Sequence, residues 1–144
     1  MREHTVLRVV AQLIIPPILL FALYVQFHGD YSPGGGFQAG VILASAIILY
    51  GLIFGVEAAR RAVPPTALRI GAALGVLIYG GTGVVTMLAG HNFLDYDALA
   101  HDPIHGQHYG LLIVEFGVGV TVASIMIAIF YVFAGRGRVE DGHE

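Results

Sequence analysis

The sequence predicts an all-α integral membrane protein with four transmembrane helices, because of its composition and the length of its apolar runs. Of its 144 residues, 56% are hydrophobic and 12% are charged, which is about half the charged share of a typical soluble domain. A bilayer core about 30 Å thick requires roughly 20 helical residues to cross it. Four apolar runs reach that length, at residues 6–27, 37–56, 68–89 and 109–134. We therefore expect a single transmembrane domain over residues 1–144, embedded in the lipid bilayer.

The first run follows Arg2 and Arg8, as the core of a signal peptide would. It is too long for such a core, and no small-residue cleavage site follows it, so we expect a retained helix. Pro16 and Pro17 stand near its centre and predict a kink, because proline lacks a backbone N–H and clashes with the preceding turn. The freed carbonyl groups lie near Gln12 and need polar partners. This place is therefore either a packing kink or a polar spot on an ion path.

The distribution of basic residues predicts the orientation of the chain. All seven basic residues are arginine: Arg2, Arg8, Arg60, Arg61, Arg69, Arg136 and Arg138. The loops at residues 28–36 and 90–108 contain none of them. By the positive-inside rule, both termini and the loop after the second run are cytoplasmic, and the other two loops face outward. The expected location is the bacterial cell membrane, as a multi-pass protein.

Small residues at four-residue spacing mark the second, third and fourth runs. Examples are Gly36, Gly40 and Ala44, then Gly51, Gly55 and Ala59, then Gly71 and Gly75, then Gly119 and Ala123. Such faces let helix backbones approach one another closely. They serve either the packing of these helices among themselves or contact with other membrane subunits.

Glu115 is an acidic residue that the fourth run places inside the membrane. It lies six residues into that run, or about 9 Å along the helix axis. A carboxylate at that depth is unfavourable in lipid and should face protein or water. Glu115 is either a structural hydrogen-bonding acid or a group that binds and releases a proton or a sodium ion. Glu57, at the end of the second run, is expected to form an ion pair with Arg60 or Arg61.

Histidines in the third loop raise the alternative of a metal site. His101, His105 and His108 carry imidazole groups, which are common zinc ligands. Pro103 and Gly106 interrupt any helical face there, and the spacing matches no metal motif. The chain has no cysteine, which excludes thiolate ligands and disulfides. We expect a solvated outer loop, with no metal and no cofactor.

The stretch H-G-D-Y-S-P-G-G-G-F at residues 28–37 forms a glycine-rich hinge between the first two runs. It lacks the lysine and the Ser or Thr of a phosphate-binding loop, and no catalytic constellation indicates an enzyme. The net charge of −3 argues against a nucleic-acid partner. Irregular backbone at membrane depth needs cover from protein or water, and the amino end of the second helix favours an anionic neighbour such as Asp30. The hinge is either a compact turn or an ion-coordinating element of the kind found in transporters.

Three segments resemble one known family. The stretch F-H-G-D-Y-S-P-G-G-G-F-Q-A-G at residues 27–40 resembles the hallmark of the MnhB (MrpB) family, whose members belong to the Mrp-type multisubunit sodium/proton antiporters. The first helix, I-I-P-P-I-L-L-F-A-L-Y, and the segment E-F-G-V-G-V-T-V-A at residues 115–123 are similar to that family as well. The resemblance extends over about residues 8–133. Asp30 departs from it, since the family more often has His or another polar residue there.

The resemblance implies a small subunit of a hetero-oligomeric membrane complex that exchanges cytoplasmic sodium for external protons, driven by the proton-motive force. Its partners would be the other antiporter subunits, and sodium ions and protons would be the transported species. The candidate ion-path residues are Glu115, Asp30 and Gln12. The candidate motif residues of the hinge are Ser32, Pro33, Gly34, Gly35, Gly36, Phe37 and Gly40. Two alternatives remain, namely the equivalent subunit of a membrane-bound hydrogenase or complex I-related respiratory complex, and a purely structural membrane scaffold.

Overall fold

The computed structural model of the chain describes residues 3–29, 34–96 and 103–140. Within these ranges the protein consists of the helices α1 (Glu3–Phe27), α2 (Gly36–Phe54), α3 (Val56–Ala62), α4 (Pro65–Leu88) and α5 (Pro103–Glu140). Among the described residues, four segments are long and apolar enough to cross a membrane: Thr5–Phe27, Gly36–Phe54, Pro65–Leu88 and Gln107–Gly135. The predicted all-α fold with four membrane-spanning helices is therefore confirmed.

The second membrane helix ends at Phe54, two residues before the expected end at residue 56, and a short helix follows it. Gly55 adopts φ 96° and ψ 148°, a conformation that glycine takes far more readily than other residues. Its N–H still bonds the carbonyl oxygen of Gly51 at 3.0 Å, and then the chain turns away. The short helix α3 follows, with Glu57 in its first turn and arginines in its last turn. This distribution complements the dipole of a helix.

The third and fourth membrane helices extend beyond the predicted runs. Helix α4 begins at Pro65 rather than at residue 68, since proline is well suited to the first turn of a helix. Helix α5 begins at Pro103 and continues to Glu140, which is about 57 Å at 1.5 Å per residue. The expectation that residues 103–108 belong to the third loop is therefore wrong. The polar segment up to Glu140 is helical as well.

Helix α5 is the centre of the bundle, with α2 packed on one side and α4 on the other. Helix α1 packs mainly against α2 and has a smaller contact with α5. Gly36 lies beside Glu115, and Gly40 lies beside Gly119 one turn further on, so α2 and α5 run in the same direction. Much of the predicted small-residue surface is therefore used between helices of this chain.

Helix α4 makes an equally close contact with α5 through Gly75. A Cβ atom at this position would overlap the Thr121 hydroxyl oxygen and stand 2.5 Å from the carbonyl oxygen of Gly117. The Thr121 hydroxyl donates to that same carbonyl at 2.9 Å. The two helices thus meet backbone to backbone, as small residues in membrane helices allow.

Arg60 on α3 contacts the carboxyl-terminal part of α5. Its guanidinium group donates to the carbonyl oxygen of Tyr131 at 3.2 Å and lies 5.6 Å from the centre of the Tyr131 ring. Glu57 faces Arg60 at 3.7 Å, which confirms the predicted ion pair in this short helix. The Tyr131 hydroxyl donates to the carbonyl oxygen of Val63 at 3.0 Å. Tyr131 is also part of the hydrophobic core cluster, which consists of Ala44, Ala59, Leu68, Ile127 and Tyr131.

The described part of the third loop folds back onto α4 and α5. The backbone N–H of Leu94 donates to the Thr86 hydroxyl at 3.0 Å, and the ring of Phe93 covers Gly83. Tyr96 packs over Gly110 on α5, and burial raises the pKa of its phenol. Among the described residues, no group of three His, Cys, Asp or Glu side chains could hold a metal ion; His101 lies outside them.

We expect Gly75→Ala to separate α4 from α5, because the added methyl group has no space beside Thr121. Overpacking of this kind destabilises by about 1–3 kcal/mol, which a thermal melt of the protein in mild detergent would detect. Gly80→Ala in the same helix is the matched control, because a Cβ atom there meets nothing within 4 Å. Equal melting temperatures for the two variants would contradict the close contact.

Arg60→Gln should weaken the attachment of α3 to α5 by about 1–2 kcal/mol, since it removes a charged hydrogen bond and a cation–π contact. Arg61→Gln removes the same charge from an exposed neighbouring position and should leave the melting temperature unchanged. A similar loss in both variants would indicate a general effect of charge instead of the contact with Tyr131.

Candidate functional site

The carboxylate of Glu115 lies between the two described ends of the glycine hinge. Glu115 is half-buried on α5. A Cβ atom at Gly29 would overlap the carboxylate, and one at Gly35 would stand 2.7 Å from its Oε1 atom. Either would force the carboxylate to move. Gly29 and Gly35, at the two described ends of the hinge, therefore leave the space that this carboxylate occupies.

Gly36 brings the first turn of α2 onto the backbone of Glu115. A Cβ atom at Gly36 would overlap the carbonyl oxygen of Glu115, so only glycine permits this contact. Gly35 is the N-cap of α2 and has an extended backbone, with φ −175°. Other residues can adopt that conformation, so the need for glycine at position 35 comes from the nearby carboxylate.

The remaining hinge residues divide into those that face α5 and those that do not. Gly40 is buried against the carbonyl oxygen of Gly119. Gly34 approaches the Val25 side chain of α1 instead. Phe37 is 59% exposed on the outer surface of the bundle. Asp30, Ser32 and Pro33 lie outside the described residues.

The amino end of α2 favours an anion at this place. The first N–H groups of a helix have no partner within the helix, and the helix dipole adds partial positive charge there. Gly35 and Gly36 form this end of α2, and both are close to Glu115. The sequence predicted Asp30 as the anionic neighbour of this helix end. Among the described residues, the carboxylate of Glu115 on α5 lies there.

Gln26 is a polar residue of this site that the sequence reasoning missed. Its side chain is only 7% exposed. Its Oε1 atom lies 2.6 Å from the position that a Cβ atom of Gly119 would occupy. Gly119 is one helical turn from Glu115 on the same face of α5. A glutamine two residues before the hinge, at the end of a long apolar segment, was the signal that could have identified it.

Gln12, the predicted ion-path residue of the first helix, is not brought to Glu115. It is exposed on α1 and lies fourteen residues before Gln26, which corresponds to about 21 Å along the helix. Helix α1 runs through Pro16 and Pro17 without interruption, and both prolines are exposed. The structure therefore separates this part of α1 from the acid and the hinge.

A cavity of about 330 Å³ is lined in part by Gln26. It lies between α1, α2 and the start of α4, with α5 along one wall. Most of its lining is apolar, including Leu23, Leu43 and Phe116. Among the described side chains that line it, only Gln26 and Ser124 are polar. The cavity continues the α1–α2–α5 junction away from Glu115.

The part of the chain that is similar to known proteins includes Gln26, the hinge and Glu115. A family model described as a domain related to the MnhB subunit of Na+/H+ antiporter matches residues 6–128. Proteins named "Putative antiporter subunit mnhB2" from Staphylococcus aureus strains Newman, JH1 and COL are each 34% identical over 139 residues, covering 94% of this chain and 98% of each relative. Because the match includes α1, the hinge, α2 and Glu115, the chain belongs to the MnhB family.

Proposed function

We propose that this chain is a subunit of a multisubunit antiporter that exports sodium in exchange for protons, driven by the proton-motive force. Membership of the MnhB family and the relatives named as antiporter subunits support this proposal. The chain acts as part of a transporter, not as an enzyme, and its location is the bacterial plasma membrane. The other subunits of the antiporter are its partners.

The observation that carries the proposal is the position of the Glu115 carboxylate between Gly29 and Gly35. A carboxylate can bind a proton or a cation, and the unfavourable energy of charge in a membrane makes such residues functional candidates. The non-helical backbone at Gly29 and Gly35, on either side of the carboxylate, is similar in kind to the interrupted helices that coordinate ions in transporters. Glu115 is the proposed ion-carrying group, and the hinge is its enclosure.

The proposed orientation has both termini and α3 in the cytoplasm. Arg60 of α3 lies next to Tyr131 and Gly135 of α5, so the loop after α2 and the last part of α5 share one end of the bundle. The positive-inside rule assigns this arginine-rich end to the cytoplasm. The hinge and Glu115 then lie towards the outer surface, where external protons enter.

Contact with other subunits is supported by the exposed surface of α1. Leu13, Leu20 and Phe21 are each more than half exposed, and Gln12 is exposed among apolar neighbours. An amide facing hydrocarbon is unfavourable without a hydrogen-bond partner. Coverage of this part of α1 by a neighbouring subunit would provide one.

Glu115→Gln should abolish cation-driven proton movement in everted membrane vesicles while the complex remains assembled. The amide keeps the size of the side chain but can neither bind a proton nor neutralise a cation at this place. Glu57→Gln is the matched control, since Glu57 is an exposed acid at the far end of the bundle, and it should retain exchange. Normal exchange by an intact Glu115→Gln complex would refute the ion-path role and favour a structural scaffold.

Gly35→Ala should reduce exchange more than it reduces the amount of complex, because its methyl group meets the Glu115 carboxylate and not the helix backbone. Gly81→Ala on α4, where a Cβ atom has open space, should preserve both quantities. Complex levels can be measured by immunoblot of the same vesicles. A parallel loss of complex and exchange in Gly35→Ala would indicate that the hinge is only a turn.

A further inference from the structure

The side-chain amide of Gln26 is buried where an apolar residue would satisfy packing alone. It is 7% exposed, and its Nε2 atom has no hydrogen-bond acceptor among the described residues. A buried donor without a partner is unfavourable by about 1–3 kcal/mol. Leucine at this position would avoid that penalty. Because an N–H group repels a cation, any cation-binding role of this amide belongs to its Oε1 atom.

Gly119 provides the space that holds this amide. A Cβ atom on Gly119 would stand 2.6 Å from Gln26 Oε1 and 3.0 Å from the carbonyl oxygen of Gly36. Two oxygen atoms from α1 and α2 thus converge on one glycine of α5. The arrangement repeats that of Glu115, whose carboxylate occupies space left by Gly29 and Gly35.

Gln26 also lines the cavity, beside a glycine one helical turn from the acid. Glu115 and Gly119 are separated by four residues on α5, or about 6 Å along the axis. The cavity of about 330 Å³ is lined by Gln26 and Gly119 and also by Ser124 and Ile127. Of the two described polar side chains that line the cavity, Gln26 and Ser124, the amide is therefore the one beside Gly119, one turn from Glu115.

We propose that the Gln26 amide is a second cation-binding group of the ion path, placed one helical turn from Glu115 on the side of the cavity. Its carbonyl oxygen is a ligand for a partly dehydrated monovalent cation such as sodium, as carbonyl oxygens are in other transporters. An amide does not titrate near neutral pH, so Gln26 determines cation affinity and not proton affinity. This inference rests on the proposed function of Glu115.

The test measures the sodium concentration for half-maximal exchange in everted vesicles that contain the whole complex. Gln26→Met, which keeps the length of the side chain without its oxygen, should raise that concentration about tenfold, equivalent to about 1.4 kcal/mol of lost binding. The maximal rate at saturating sodium should change much less. Gly81→Ala on α4, where an added Cβ atom has open space, is the control and should leave the half-maximal concentration unchanged.

Gln26→Glu provides a second measurement that a purely structural role would not affect. It retains an oxygen ligand and adds a titratable charge, so the half-maximal sodium concentration should fall as pH rises, more steeply than in the unaltered complex. A half-maximal concentration that stays normal in Gln26→Met would overturn the inference. Loss of assembly in both variants would also overturn it, because the amide would then be structural.

The outcome for Gln26 can be separated from the outcome for Glu115. If Glu115→Gln abolishes exchange and Gln26→Met has normal sodium dependence, the proposed function stands and the inference fails. If an assembled Glu115→Gln complex exchanges normally, the proposed function itself fails.

Discussion

The close approach of α2 to α5 is the constraint on which the rest of the site depends. Gly36 lies against the carbonyl oxygen of Glu115, and Gly40 lies against that of Gly119. In a membrane, helix association relies on van der Waals contact and hydrogen bonds between helices, and small residues let backbones meet. A side chain at either glycine would move the two helices apart. The amino end of α2 would then move away from the carboxylate.

The same contact explains how polar groups are placed inside an apolar bundle. Glu115 and Gln26 both lie at the junction of α1, α2 and α5, in space left by glycines. The acid lies near the positive end of the α2 dipole, and the amide lies beside the cavity. Far from them, Arg60 attaches α3 to Tyr131 and closes the other end of the bundle. The polar contacts of Arg60 therefore hold helices together, whereas the glycines of the hinge leave space for the Glu115 carboxylate.

Much of the fold follows from the sequence, because lipid imposes simple rules on a chain. Helices must satisfy their own backbone groups in hydrocarbon, so apolar runs of sufficient length predict membrane helices. The helix boundaries were less predictable, since Gly55, Pro65 and Pro103 act through local backbone geometry. Of the site, Glu115 and the hinge glycines were identified as separate features. Their contact was not predicted, because nothing in sequence spacing relates residues 35 and 115.

The sequence by itself determined the all-α fold, the four apolar spans, the acid within the fourth span and the family resemblance, since these depend on composition, run length and local motifs. Only the tertiary structure decided which glutamine accompanies Glu115. Gln12 and Gln26 are chemically identical and lie on one helix, but only Gln26 is buried at the junction with α5. That difference arises from which turn of α1 meets Gly119, and it is a property of helix packing.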